Sequence, residues 1–118
     1  MNKLYLYLDD IRTPIDAKWI IARNYSEFIK IINIYGLDNF ETISLDHDLG
    51  ENSKSGMDCA KFIIDISINN NILLPKIFIH SSNPIGSENM MSIINNYLKF
   101  NNLPQNCIQD KIPFTVNN

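Results

Sequence analysis

The sequence predicts an α/β protein: a three-layer, mostly parallel sheet within one domain spanning residues 1–118. Three observations carry this. Short runs rich in β-branched and aromatic residues alternate with segments of helical periodicity, as strand–helix–strand units do. The charged and polar oddities of the chain collect directly after those runs. At 118 residues and 45% hydrophobic content there is material for one core and no second.

The elements follow in order. Lys3 to Leu8, KLYLYL, alternates in the manner of a strand and stops at Asp9-Asp10. IRTPIDAK, punctuated by Pro14, is too short for a full helix and reads as a loop. Trp19 to Arg23 is a second strand. Phe28, Ile31, Ile32 and Tyr35 then recur at helical spacing, with Ser26 as cap and Gly36 as stop. Thr42 to Leu45 is the third strand, and the polar GENSKSG leads to a helix with Cys59, Phe62, Ile63 and Ile66 facing inward. KIFIH, after Pro75, is the fourth strand. The closing helix runs through NPIGSENMMSIINNYLKF, capped by Asn83 or Ser87, with Pro84 at a permitted first-turn position. The tail has room for one more short strand near Pro104 and Pro113.

Composition narrows the function. A net charge of −3 leaves no broad basic face for duplex nucleic acid, whose binding relies on clustered Lys and Arg. A small phosphorylated ligand needs only two or three donors and stays open. Cys59 and Cys107 lie far apart without metal-ligand spacing, and their expected reduced state suits a cytoplasmic protein. MNKLYLYLDD is too short and too soon acidic for a signal peptide, and no apolar run reaches membrane-spanning length.

Open parallel sheets bind ligands outside the carboxyl ends of their strands. Here the first strand ends in Asp9-Asp10, with Arg12 close behind. The third ends in Asp46-His47-Asp48, and the fourth in His80-Ser81-Ser82-Asn83. Both histidines of the chain occupy this rim. Singly, each feature has an ordinary explanation: aspartates form turns, and Ser and Asn cap helices. Jointly, three separate segments would have to meet there by chance.

Asp9, Asp10, Asp46 and Asp48 in one cleft would repel, at about 4 kcal/mol for two unit charges about 4 Å apart and an effective dielectric near 20. A divalent cation, magnesium or manganese, is the expected remedy; a carboxylate kept protonated by its neighbours is the alternative. His47 or His80 as a further ligand would shift the preference toward manganese or zinc.

LDD, the strand-ending Asp46, SGMD and the strand-ending Ser81 resemble the receiver domains of two-component signalling. That resemblance implies a flavodoxin-like fold, magnesium on Asp9 and Asp10, phosphoryl transfer to Asp46 and contact from Ser81. The chain departs from it in three respects. The first helix is reduced to a loop, no lysine–proline follows a fifth strand, and His47 and His80 are not receiver residues. LDDIRTP, SLDHDLG, SGMDCAKFI and HSSNPIGSENM are more similar to the cyclic-phosphate-processing receiver domains. That likeness implies a receiver fold rebuilt to bind or cleave cyclic phosphates on nucleotides or RNA ends, in bacteria and their phages.

Opening a cyclic phosphate needs a base and an acid, roles that histidine fills near neutral pH. The expected catalytic residues are His47, His80 and Asp46. Arg12, Ser81, Ser82, Asn83 and the helix start, with Gly86 allowing close approach, would hold the phosphate. Hydrolysis ranks first. Sequestration of a cyclic nucleotide without cleavage ranks second, and a divergent phosphoacceptor switch third.

Overall fold

A computed structural model of the chain describes residues 3–50, 54–110 and the backbone of 114–116. Five strands form one parallel sheet: β1 (Leu4–Leu8), β3 (Trp19–Ala22), β4 (Phe40–Leu45), β5 (Lys76–Ile79) and β6 (Ile108–Gln109). Their spatial order is β3-β1-β4-β5-β6. Counted within the sheet alone this is the flavodoxin-like order 2-1-3-4-5, and the chain reverses direction across the sheet between β1 and β4. The fold is the receiver-like α/β class that the sequence predicts.

Three helices complete it: α1 (Tyr25–Tyr35), α2 (Gly56–Asn70) and α3 (Pro84–Phe100). α1 packs on α2 and α2 on α3. Side chains alternate along a strand, so Leu6, Leu8, Ile43, Leu45, Ile77 and Ile79 share one face. They are buried in one core with Phe28 and Ile32 of α1, Cys59 and Ile63 of α2, and Met90 and Ile94 of α3. All three helices therefore lie on that face. Tyr5, Tyr7, Ser44, Phe78 and, at the β3 edge, Trp19 belong to the other, whose layer carries no helix among the described residues. The right-handed crossover rule explains this imbalance. The connection from β1 to β3 runs across the sheet in the opposite sense to the later ones, so it lies on the opposite face, and it is the one too short for a helix.

That connection is not a plain loop, as the sequence suggests. Arg12–Pro14 forms a short strand, β2, paired antiparallel with β7 (Phe114–Val116) from the tail. The tail thus supplies two short strands, β6 and β7, where one was expected; Pro113 lies outside the described residues, as do three residues of GENSKSG. Pairing between distant segments of three residues each leaves no periodicity to read.

Capping follows local chemistry, with one correction. The cap of α1 is Asn24, whose side chain accepts from the Glu27 backbone N–H, and Ser26 sits inside the first turn. Ser55 and Asp58 form a capping box on α2. Asn83 caps α3, with Pro84 at its start. Tyr35 is exposed rather than inward, and Ile31, Phe62 and Ile66 are only partly buried. Among the described residues no helix is long and apolar enough to cross a membrane.

Candidate functional site

Strand register decides what meets at the carboxyl rim. Leu8 is paired with Ala22 and Leu45, Leu45 with Ile79, and Ile79 with Gln109. One residue further along each strand stands a single row: Arg23, Asp9, Asp46, His80 and Asp110. The backbone ladder continues into it, with Asp9 N–H donating to Ala22, Asp46 N–H to Leu8, His80 N–H to Leu45 and Asp110 N–H to Ile79, all at 2.9–3.0 Å. Alternation turns Asp9, Asp46 and His80 away from the helices, toward the face over which the β1–β3 connection passes. That connection brings Arg12.

The Asp9 carboxylate organises the turn. Its Oδ1 accepts from the backbone N–H of Ile11 at 3.0 Å and of Arg12 at 2.8 Å. The turn folds the Arg12 side chain back, so that Nε meets Asp9 Oδ2 at 2.8 Å and a terminal nitrogen meets Asp46 Oδ2 at 3.4 Å. Arg23 fastens the same turn from β3, donating to the Asp9 and Arg12 carbonyls and to the Thr13 hydroxyl.

His80 is enclosed. Its side chain is 1% exposed, Nε2 lies 3.1 Å from Asp9 Oδ2, and Nδ1 lies 2.7 Å from Ser44 Oγ. Since a carboxylate only accepts, Nε2 donates to Asp9, and Nδ1 pairs with the Ser44 hydroxyl. Tyr7 stacks on the ring at 4.3 Å with planes 7° apart. Burial pushes the Tyr7 phenol up to about 12, and its hydroxyl has no hydrogen-bond partner among the described residues.

His47 belongs to a second group. Its Nδ1 is 2.8 Å from Asp48 Oδ1, and Asn83 Nδ2 reaches both Asp48 oxygens at 3.4 Å. The imidazole lies against Gly86, where an added Cβ would come within 2.5 Å of His47 Cγ. The backbone N–H of His47 donates to Asp46 Oδ1 at 2.8 Å, joining the two groups.

Asp9 and Asp46 are pushed in opposite directions. Burial raises the Asp9 pKa, but hydrogen bonds from His80, Arg12 and Ile11 and the charge of Arg12 outweigh it, so the value falls below the usual range. For Asp46, burial and the neighbouring Asp9 charge win over His80, Arg12 and the His47 N–H, and the value rises. Opposed shifts in adjacent carboxyls suit acid–base work.

Beside this network opens a cleft of about 340 Å³ lined by Asp10, Ile11, Arg12, Asp46, Asp48 and Ser82. A larger hollow of about 620 Å³ lies at the opposite, amino end of the strands, against Lys3, Glu41 and Lys76. It holds none of the row residues and none of the residues expected from sequence. The rim cleft is the better site on chemistry rather than size.

Asp9, Asp46, His80 and Arg12 meet, with Asp10, Asp48 and Ser82 along the same cleft. The two imidazoles do not stand in equivalent positions: His80 is sealed with both nitrogens engaged, whereas Nε2 of His47 has no hydrogen-bond partner among the described residues. Ser81 is buried, and its hydroxyl accepts from the Asn83 N–H. At the start of α3, the N–H of Gly86 is taken by the Asn83 side chain and that of Ser87 by the Asn83 carbonyl. What approaches Gly86 is His47. Ser44 and Arg23 escaped sequence reading as site residues, although Arg23 directly follows a strand and Ser44 precedes Asp46 by one alternation.

One ligand atom each from Asp9, Asp46 and His80 lies within 4.8 Å of the others, an ion-sized group. Asp10 and Asp48 are outside it. Arg12 already bridges the two carboxylates, so the donor set does not suit a metal as it stands.

These features have a counterpart among known families. A family model described as the cyclic-phosphate processing receiver domain matches residues 4–96, from β1 into α3. The chain belongs to this family. The match spans every sequence block that carried the likeness, with the rim segments after β1, β3, β4 and β5 but not Asp110. No curated protein and no solved structure was found to match the chain. In this cyclic-phosphate processing receiver domain the rim cleft adjoins the Arg12 network and the His47–Asp48 pair.

Proposed function

We propose that this receiver domain hydrolyses a cyclic phosphodiester in the rim cleft. The carrying observation is Arg12, anchored on Asp9 and Asp46 in the wall of a cleft that also presents Asp48, the partner of His47. A cyclic phosphodiester bears a single negative charge, which an arginine among carboxylates tolerates better than a phosphate dianion.

In this reading Arg12 offsets the charge that builds on the phosphoryl oxygens. Asp48 accepts from His47 Nδ1, which leaves Nε2 as the base. Nε2 takes a proton from water as the water oxygen bonds to phosphorus. The ring P–O bond breaks, and the departing oxygen takes up the proton that Nε2 accepted. His80 acts through Asp9 as a positioning residue. This differs from a pair of flanking imidazoles, because the enclosed His80 ring would have to surrender Asp9 or Ser44 to reach a ligand.

The test is a panel of 2′,3′-cyclic, 3′,5′-cyclic and cyclic oligonucleotide phosphates, with and without EDTA, assayed for products. Ring opening that falls about a hundredfold in His47→Ala, with binding retained, supports the proposal. No product from any ligand that binds would instead support sequestration. The enclosure of His80 favours that second reading, since it leaves only one accessible imidazole. Phosphoacceptor signalling is the weakest fit, because Asp46 is buried and held by Arg12 and the His47 N–H.

A further inference from the structure

We infer that the Arg12 guanidinium is the resident cation of the acidic rim, standing where a divalent ion would otherwise neutralise Asp9 and Asp46. Their carboxyl groups extend from neighbouring strands about 4.8 Å apart, a spacing at which two charges repel strongly at low effective dielectric. Arg12 pairs with both, through a hydrogen bond to Asp9 at 2.8 Å and an ion pair with Asp46 at 3.4 Å. A planar guanidinium suits that bridge better than a point charge does.

Asp9 and His80 would have to change to accept a metal. Asp9 takes four hydrogen bonds, two on each oxygen: Ile11 and Arg12 N–H on Oδ1, and Arg12 Nε and His80 Nε2 on Oδ2. That uses the roughly four acceptor directions of a carboxylate. His80 would have to release Nε2 from Asp9 or Nδ1 from Ser44 before either nitrogen offered a lone pair to an ion. The position of Arg12 is also determined locally. It follows Asp9 by three residues in a turn built on that carboxylate, and Arg23 holds the turn by its carbonyls. The cluster has the outline of a metal site, and an internal cation fills it. The test reads cation binding and not turnover, so it stands or falls separately from hydrolysis.

Titrating Mn²⁺ into the wild type by calorimetry should show no saturable one-to-one binding that depends on Asp46. Removing the guanidinium should create the site. Arg12→Ala is expected to bind one Mn²⁺ at least about tenfold more tightly than wild type, a difference of about 1.4 kcal/mol. Adding Asp46→Asn should abolish the gain. Paramagnetic broadening by Mn²⁺ of the Asp9, Asp46 and His80 amide resonances needs no variant, and the wild type should show none at equimolar ion. Wild-type binding abolished by Asp46→Asn, selective broadening of those amides, or a folded Arg12→Ala protein with no gain would each overturn the inference.

Discussion

His80 and Asp9, 71 residues apart in the chain, meet through Nε2 and Oδ2 at 3.1 Å with both side chains sealed from solvent. The contact ties the end of β5 to the end of β1 across β4 and leaves His80 no free nitrogen. Truncating it strips a partner from a buried carboxylate and from Ser44, and empties the space against Tyr7. His80→Ala should therefore lose about 3 kcal/mol of stability. His47→Ala, at a half-buried position, should lose about 1 kcal/mol or less while losing turnover. Urea unfolding of the two variants checks the contrast, and equal stabilities would contradict the assignment of His80 as a positioning residue.

The two central aspartates should give opposite pH signatures. Asp9 has a lowered folded pKa, so its stabilisation is present above the ordinary carboxyl value and disappears as pH falls through the folded one. Asp46 has a raised folded pKa, so its ionisation costs stability as pH rises from the ordinary value through the folded one. At pH 7, Asp9→Asn should lower the melting temperature and Asp46→Asn should raise it. The gain from Asp46→Asn should vanish below about pH 3, where the unfolded carboxyl is also protonated. Melts at both pH values decide the matter.

Two glycines stand where a methyl group has no room. A Cβ on Gly56 would lie 1.8 Å from the Asp46 carbonyl oxygen, and backbone there cannot yield. Gly56→Ala should cost about 3 kcal/mol or more. A Cβ on Gly86 would fall 2.5 Å from His47 Cγ, and the obstacle is a side chain. Gly86→Ala should then cost about 1–3 kcal/mol by overpacking, partly offset by up to about 1 kcal/mol of helix propensity. Its clearer mark is a displaced His47 ring, visible as shifted imidazole resonances in a protein that still folds.

Both cysteines are buried, and burial pushes each thiol up to about 12. A thiol so rarely ionised and so poorly accessible should resist a disulfide reagent at pH 8. The native protein should release no chromophore on mixing, and the urea-unfolded protein should release two equivalents, one for each cysteine in the sequence.

The sequence by itself determined the principal strands and the helices and which polar residues end those strands. Those features are local: alternation in KLYLYL, helical spacing from Phe28 to Ile32, and a proline at the start of α3 all act within a few residues. The same locality explains why Asp9, Arg12, Asp46, His47 and His80 were legible as polar residues of the strand ends. Tertiary structure decided how they are used. Register placed Arg23, Asp9, Asp46 and His80 on one rung, and alternation turned the latter three toward the helix-free face. That geometry made His80 an enclosed strut and set His47 apart against Gly86. Pairing of β2 with β7, the choice of Asn24 as cap, and the parts played by Tyr7 and Ser44 were likewise beyond sequence reading. Each depends on which distant backbone lies alongside, a contact energy that no periodicity in a single segment records.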